Sequence, residues 1–322
     1  MFLCVSANPA IDKQVRITEL RVGAVNRAAE AIAEPGGKAA HVAMALRALV
    51  ERPHWIGFAG GATGDVLLMG LKTLGIRAQP ILTRAPTREN LAIVDDTGSV
   101  TEILEPGGAP SAKEIGSFRR SCENEFARRK RKLLVILSGS LPPGVPANLY
   151  ASLIRIAQSC GCSVILDSSG GALRRGVRAQ PDLVKPNREE AEAITGMKIQ
   201  DVASARNAME QILAMGARSV AISLGKEGVL WSAGKGRPIF HAQAPQVKKR
   251  SAVGSGDAAV AGFAYGIAHG LASEKVLRLA VACGSANCFA DSPGRIGLST
   301  VRTIEREVRV KTLSETNAHA EI

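Results

Sequence analysis

The chain has 322 residues, 46% of them hydrophobic and 22% charged, which is ordinary for a soluble globular protein and enough to bury a substantial core. Aromatic residues make up only 3%, which argues against base-stacking platforms and for tight helices and many turns. The net charge of +12, from 41 basic and 29 acidic residues, favours anionic partners, with phosphorylated metabolites and nucleic acid both candidates.

From the N-terminus, a short apolar stretch at 2–5 turns polar at Ser6 and Asn8, and no run of about 18 apolar residues follows. The expectation is a cytoplasmic protein with no leader and no membrane span. Short apolar runs at 2–6, 55–59, 133–137, 163–167, 182–184 and 219–223 read as buried strands. Amphipathic stretches at 38–49, 65–74, 112–129, 147–159, 188–195 and 203–215 read as helices. Strands alternating with helices predict a parallel α/β sheet covered on both faces. Residues 11–33 and 90–104 break the pattern. They alternate loosely, the second around the turn Asp95-Asp96-Thr97-Gly98, and predict a small separate sheet able to close over a substrate. The last third reads as helical at 254–270 and 273–290, with a polar tail after about Thr312.

The cysteines Cys4, Cys122, Cys160, Cys162, Cys283 and Cys288 show no CxxC pair or zinc-like spacing, and read as reduced cysteines of a cytosolic protein. The basic run from Arg128 to Lys132 closes a predicted helix. Without interleaved aromatics or a nucleic-acid motif, it reads as a solvated helix end that complements the helix dipole.

The strongest local signal is Val253-Gly254-Ser255-Gly256-Asp257, opening a helix of small residues. Glycines leave backbone N–H groups pointing outward, and the helix N-terminus adds partial positive charge, so the turn is an anion site. Asp257 beside it can accept a proton from an attacking hydroxyl, or can merely cap the first turn. The stretch also fits GxGxxA, but the polar residues 246–250 before it are not the buried strand a dinucleotide fingerprint follows. A GxxxxGK[ST] loop is absent. Glu34-Pro35-Gly36-Gly37-Lys38 is a Gly-rich helix entry with a lysine at the turn. Asn187 and Glu190, three apart after a strand, read either as a capping box or as an NxxE pair for hydrated Mg²⁺. The loops beginning at Ser138 and Ser223 also follow predicted strands. Ligands of open α/β sheets bind at the carboxyl ends of strands, so these loops point to one shared site.

Taken in order, the motifs resemble those of the PfkB (ribokinase-like) carbohydrate kinases, hexose-phosphate branch. They are Asn8-Pro9-Ala10-Ile11-Asp12, Gly23-Ala24-Val25-Asn26-Arg27, Pro35-Gly36-Gly37-Lys38, Thr87-Arg88-Glu89-Asn90, Thr101-Glu102, Ser138-Gly139-Ser140-Leu141-Pro142-Pro143-Gly144, Asp167-Ser168-Ser169-Gly170, Lys185-Pro186-Asn187-Arg188-Glu189-Glu190, Ser223-Leu224-Gly225 and the Gly-Ser-Gly-Asp turn.

The resemblance implies a three-layer αβα sandwich with a mostly parallel sheet and a β lid at about 11–33 and 88–104. This single domain would span 1–312, with 313–322 as tail. It implies Mg·ATP as phosphoryl donor and a hexose phosphate as acceptor. Asp257 would be the base, and Gly254, Ser255 and Gly256 the anion hole. Lys185, Asn187, Ser223, Gly225, Gly228 and Asn287 would hold ATP, with Asn187 and Glu190 organising Mg²⁺ through water. Asp12, Gly37, Lys38, His41, Arg88, Asn90 and Ser138 would hold the sugar. Arg27, Arg88 and Lys38 are the candidates for its phosphate. The lid would also make a homodimer. The chain departs from the family pattern where Ala39 replaces a glycine, His41 an asparagine expected to bond sugar hydroxyls, and Ser255 an alanine. A kinase for an unphosphorylated sugar or nucleoside, and a non-catalytic sugar-phosphate sensor, are the alternatives.

Overall fold

The computed structural model describes residues 1–243, 245 and 251–313. Residues 244 and 246–250 and the tail from 314 onward lie outside them. The chain starts with β1 (Phe2–Ser6), buried along its whole length, then leaves the main body for β2 (Ala10–Arg16) and β3 (Glu30–Gly36). It returns through α1 (Lys38–Ala48), β4 (His54–Ala59), α2 (Gly61–Thr73) and β5 (Arg77–Leu82). A second excursion makes the hairpin β6 (Arg88–Val94) and β7 (Val100–Leu104). Then follow α3 (Ala112–Arg129), β8 (Leu134–Ser138), α4 (Leu149–Ser159), β9 (Ser163–Asp167), α5 (Gly170–Val177) and β10 (Leu183–Val184). Next are α6 (Arg188–Thr195), α7 (Val202–Ala214), β11 (Val220–Ser223), β12 (Val229–Ser232) and β13 (Ile239–Gln243). The chain closes with α8 (Ser255–Ala268), α9 (Ser273–Asn287), α10 (Leu298–Glu307) and β14 (Arg309–Leu313).

The ten-stranded main sheet runs β14-β13-β12-β11-β10-β9-β8-β1-β4-β5. It is parallel from β5 to β11 and antiparallel from β11 to β14. Successive residues of a strand face opposite sides, and β1 shows it. Phe2 and Cys4 join a core with α1, α2, α8, α9 and α10, whereas Leu3 and Val5 join a second core with α3 to α7. These are the two helical layers of the expected sandwich. The four lid strands form a separate sheet in the order β3-β2-β6-β7, with β2 and β6 parallel at its centre.

Two sequence expectations need correction. The region after Ser223 contributes strands β12 and β13, and β14 lies just ahead of the expected tail, most of which falls outside the described residues. All three extend the sheet at one edge, where a strand such as Arg309–Leu313 is only partly buried and lacks an apolar run.

Candidate active site

A cleft of about 1120 Å³ lies between the lid and the carboxyl ends of the parallel strands. The lid side carries Asp12 from β2 and Arg88 and Asn90 from β6, set by register, since Ala10 pairs with Arg88 and Asp12 with Asn90. Asn90 Nδ2 donates to Asp12 Oδ1 at 2.8 Å, while Asn90 Oδ1 is buried with no protein partner. Arg88 donates from Nη1 to the Glu105 carbonyl at 2.7 Å and from Nη2 to the Asn8 carbonyl at 3.2 Å, leaving Nε buried without a protein partner. Such orphaned polar atoms in a cleft mark where a polar ligand completes the bonding.

The hinge between lid and body is the turn at Gly36 and Gly37. A Cβ on Gly36 would lie 2.2 Å from Asp12 Cγ, so no side chain fits there. The Gly37 amide instead approaches Asp12 Oδ2 at 3.4 Å. Burial alone would raise the Asp12 pKa, but His41, Asn90 and this amide hold it below the usual carboxylate range.

On the body side, Gly254 caps α8 with φ 80°, a left-handed conformation suited to glycine. The first turn of α8 then carries Ser255, Gly256 and Asp257 on the cleft wall. Asp257 is 6% exposed, and its Oδ2 lies 2.8 Å from His41 Nδ1. The opposite ring nitrogen of His41, Nε2, lies 2.7 Å from Asp12 Oδ2, an ion-pair contact rather than an aligned hydrogen bond. Burial would favour a neutral ring. The two carboxylates outweigh it and push the His41 pKa up to about 10.

On the same cleft, Asp167 closes β9 as a fully buried carboxylate. It faces Lys38 Nζ at 3.3 Å and Lys185 Nζ at 3.8 Å. Despite burial, the two ammonium groups hold its pKa below the usual range. Asp167, Glu190 and Asp257 raise Lys38 against the opposing effect of burial, so its charge is fixed at the cleft floor. Asn187 caps α6: its Oδ1 accepts from the Glu190 amide at 2.7 Å, and its own amide donates to Glu190 Oε2 at 2.9 Å. Glu190 Oε1 is 3.4 Å from Lys38 Nζ. Ser223, Gly225 and Gly228 line the same cleft beyond α6.

Three expected residues lie elsewhere. Arg27 stays on the exposed turn between β2 and β3, off the cleft wall. Ser138 is buried behind the wall, with Oγ 3.5 Å from Asp167, and the neighbouring Ser140 lines the cleft in its stead. Asn287 spends its amide on loops: Nδ2 donates to the Val253 carbonyl at 2.6 Å, and Oδ1 accepts from the Gly294 amide at 2.8 Å. It braces the anion-hole turn rather than facing the cleft. Asp167 and the lid residue Glu102, which the sequence reading placed in motifs without giving them a role, also line the cleft. A buried acid at a strand's carboxyl end is the signal that could have found Asp167.

Comparison with known proteins shows the family and the fold. Residues 5–297 match the family described as pfkB family carbohydrate kinase. A tagatose-6-phosphate kinase of Staphylococcus epidermidis is 30% identical over 313 residues, covering 96% of this chain and 99% of that one. Phosphofructokinase-2 of Escherichia coli, solved in complex with substrates and products, superposes with a TM-score of 0.87 at 28% identity, covering 95% of this chain and 98% of that one. An Arabidopsis thaliana ribokinase complexed with ribose and ATP shares the fold, with a TM-score of 0.74 at 20% identity and 95% and 98% of the two chains covered.

Proposed function

We propose that this chain, which belongs to the pfkB family of carbohydrate kinases, transfers the γ-phosphoryl of ATP to a hydroxyl of a hexose phosphate, giving a hexose bisphosphate, with Asp257 as the base. The observation that carries the reading is the position of Asp257. It is a buried carboxylate in the first turn of α8, beside the glycine-rich amides and joined through His41 to the lid. One oxygen takes the acceptor hydroxyl's proton as that hydroxyl attacks the γ-phosphorus in line. The bond from phosphorus to the bridging oxygen breaks, and ADP leaves with the electron pair.

The chain supplies charge where the transferring oxygens carry it. Gly254 and Gly256 line the cleft with no side chain of their own, while the Ser255 amide already donates to the Ala252 carbonyl at 3.1 Å. Lys185 Nζ would lie 3.4 Å from a Cβ added to Gly256, close enough to act at the same place. On the sugar side, Asp12 and the orphaned Asn90 Oδ1 suit hydroxyl donors. Among Arg27, Arg88 and Lys38, Arg88 is the candidate that combines cleft exposure with an unused buried N–H. It would hold the substrate phosphate.

The donor set fits a hydrated Mg²⁺ rather than one gripped directly. Both Glu190 oxygens already have partners, and among the described residues no group of three acidic, His or Cys side chains is arranged to hold a metal. Asn187 and Glu190 would hold its water shell. When bound, the ion neutralises charge between the nucleotide phosphates.

Among the described residues, no helix is long and apolar enough to cross a membrane, and all six cysteines are free, which fits a cytoplasmic enzyme. The lid is also read as a homodimer interface. The test is ADP release with Mg·ATP against fructose 1-phosphate, fructose 6-phosphate, tagatose 6-phosphate, fructose, ribose and adenosine. Preference for one phosphorylated hexose is expected. Turnover with unphosphorylated acceptors alone, or with none, overturns the reading.

A further inference from the structure

His41 sits in the first turns of α1 and touches both sides of the cleft. Its Nδ1 is 2.8 Å from Asp257 Oδ2 on the body, and its Nε2 is 2.7 Å from Asp12 Oδ2 on the lid. A neutral imidazole has one N–H. It can donate to one carboxylate and must turn a lone pair on the other. At these distances, a lone pair against a carboxylate oxygen is repulsive, and burial of His41 and Asp257 leaves little water between them to screen it. A ring protonated on both nitrogens satisfies both carboxylates while both stay ionised. The other charges nearby are Glu102 on β7, whose field reaches His41, Arg88 on β6, which faces Asp12, and Lys38 on α1, which faces Asp257.

We infer that His41 is a positioning residue: an imidazolium that ties Asp257 to Asp12, so that seating the sugar on the lid and aligning the base are one event. The inference rests on Asp257 being the base. Protonated on both nitrogens, with Nδ1 bonded to Asp257 and Nε2 in ion-pair contact with Asp12, His41 has no lone pair for a sugar hydroxyl and acts through its two neighbours. In the transfer step, the hydroxyl proton goes to Asp257 Oδ1, while Oδ2 keeps its bond from His41 Nδ1–H. An asparagine here could donate from only one end of its amide, so it could not tie both carboxylates. The protonated ring also sets one positive charge between the two acids, and a neutral side chain in its place removes that attraction from both.

Two measurements test this. In wild-type protein labelled with ¹⁵N-histidine, one of the five rings is expected to carry protons on both nitrogens at pH 8 and to show no titration from pH 6 to 9. A set of five rings that are all neutral at pH 8 overturns the inference, with no variant required. In kinetics, His41→Asn and His41→Gln should lower kcat by about 10- to 100-fold, the scale of a slightly misplaced reacting group. They should raise KM for the sugar phosphate, leave KM for ATP unchanged, and move the acid limb of the pH–rate profile to higher pH. Combined with Asp12→Asn, the loss should be less than the product of the single losses, because both changes cut the same tie. Profiles superimposable on wild type would leave His41 as packing alone. Asp257→Asn run in parallel separates the failures. If it is inactive while His41→Asn is normal, only the tie falls. If it is active, the base assignment falls, and the tie with it.

Discussion

Replacing Asp257 with asparagine keeps the shape of the side chain and removes its capacity to take a proton. The expected result is a kcat lower by at least about 10²-fold, with ATP affinity by calorimetry unchanged, because the amides and Lys185 are untouched. Near-normal turnover would assign the base elsewhere. Arg88→Ala should raise KM for the sugar phosphate far more than KM for ATP. Arg88→Lys should not restore it, since a lysine cannot replace a guanidinium already bonded to the Glu105 and Asn8 carbonyls. Equal effects on both substrates would remove Arg88 from the sugar side. His41 also marks stability. Its folded pKa is raised to about 10 from an ordinary 6.5. The stabilisation is therefore complete below about pH 6.5 and is lost as pH rises toward 10, at up to about 1.4 kcal/mol per pH unit. Asp12 acts in the opposite sense: its folded pKa is depressed, so its contribution holds above its ordinary 3.8 and is lost as pH falls through the lower folded value. Urea midpoints measured from pH 6.5 to 10 should fall for wild type and stay flatter for His41→Asn; parallel curves would show that the ring does not carry that charge.

At the scale of elements, one capping box serves both α6 and the cleft. Asn187→Ala removes the side-chain acceptor for the Glu190 amide. It should lower stability by about 1 kcal/mol, the usual loss for an N-cap. It should also raise the Mg²⁺ concentration needed for half-maximal rate. A melting shift with an unchanged Mg²⁺ requirement would reduce Asn187 to a cap. The two meanings of this motif could not be told apart from spacing, since a cap and a water-mediated metal site need the same oxygens at the same separation. The central strands were legible because burial on both faces makes them continuous apolar runs: 2–6 and 163–167 agree with β1 and β9 at both ends. The edge was not. β5 contains Pro80 and exposed Arg77, and β14 alternates Arg, Lys and Thr with two apolar residues. α5 was missed because its Gly-Gly start and Arg-Arg pair weaken the helical signal. Among candidate site residues, those on glycine-rich turns are ones the structure sets on the cleft wall, and such turns have a physical reason to face an anion. Asn287 and Ser138 were not, because whether a polar side chain faces a cleft or braces the loop behind it depends on tertiary contacts of residues far apart in sequence.

For the whole molecule, the open question is what covers the lid. A four-stranded sheet has two edges, here β3 and β7, and unpaired edges invite pairing with another chain. Apolar side chains accompany them: Val22 is 95% exposed, Val25 82% and Ile103 55%. On β7, Glu102 and Leu104 line the cleft, so alternation along the strand turns Ile103 to the opposite face, away from the reaction centre. A second copy of the chain, related by a two-fold axis, would bury this outer face without closing the cleft. Sedimentation equilibrium should therefore give twice the 33.7 kDa chain mass. Ile103→Lys should shift the population to monomer by placing a charge in an apolar contact. Because Ile103 lies away from Asp257 and the anion hole, the variant should keep its kcat at saturating substrates, while lid closure, and with it KM for the sugar phosphate, should suffer. A dimer that survives Ile103→Lys would locate the contact elsewhere, and a monomeric wild type would mean that the lid works with its outer face in water.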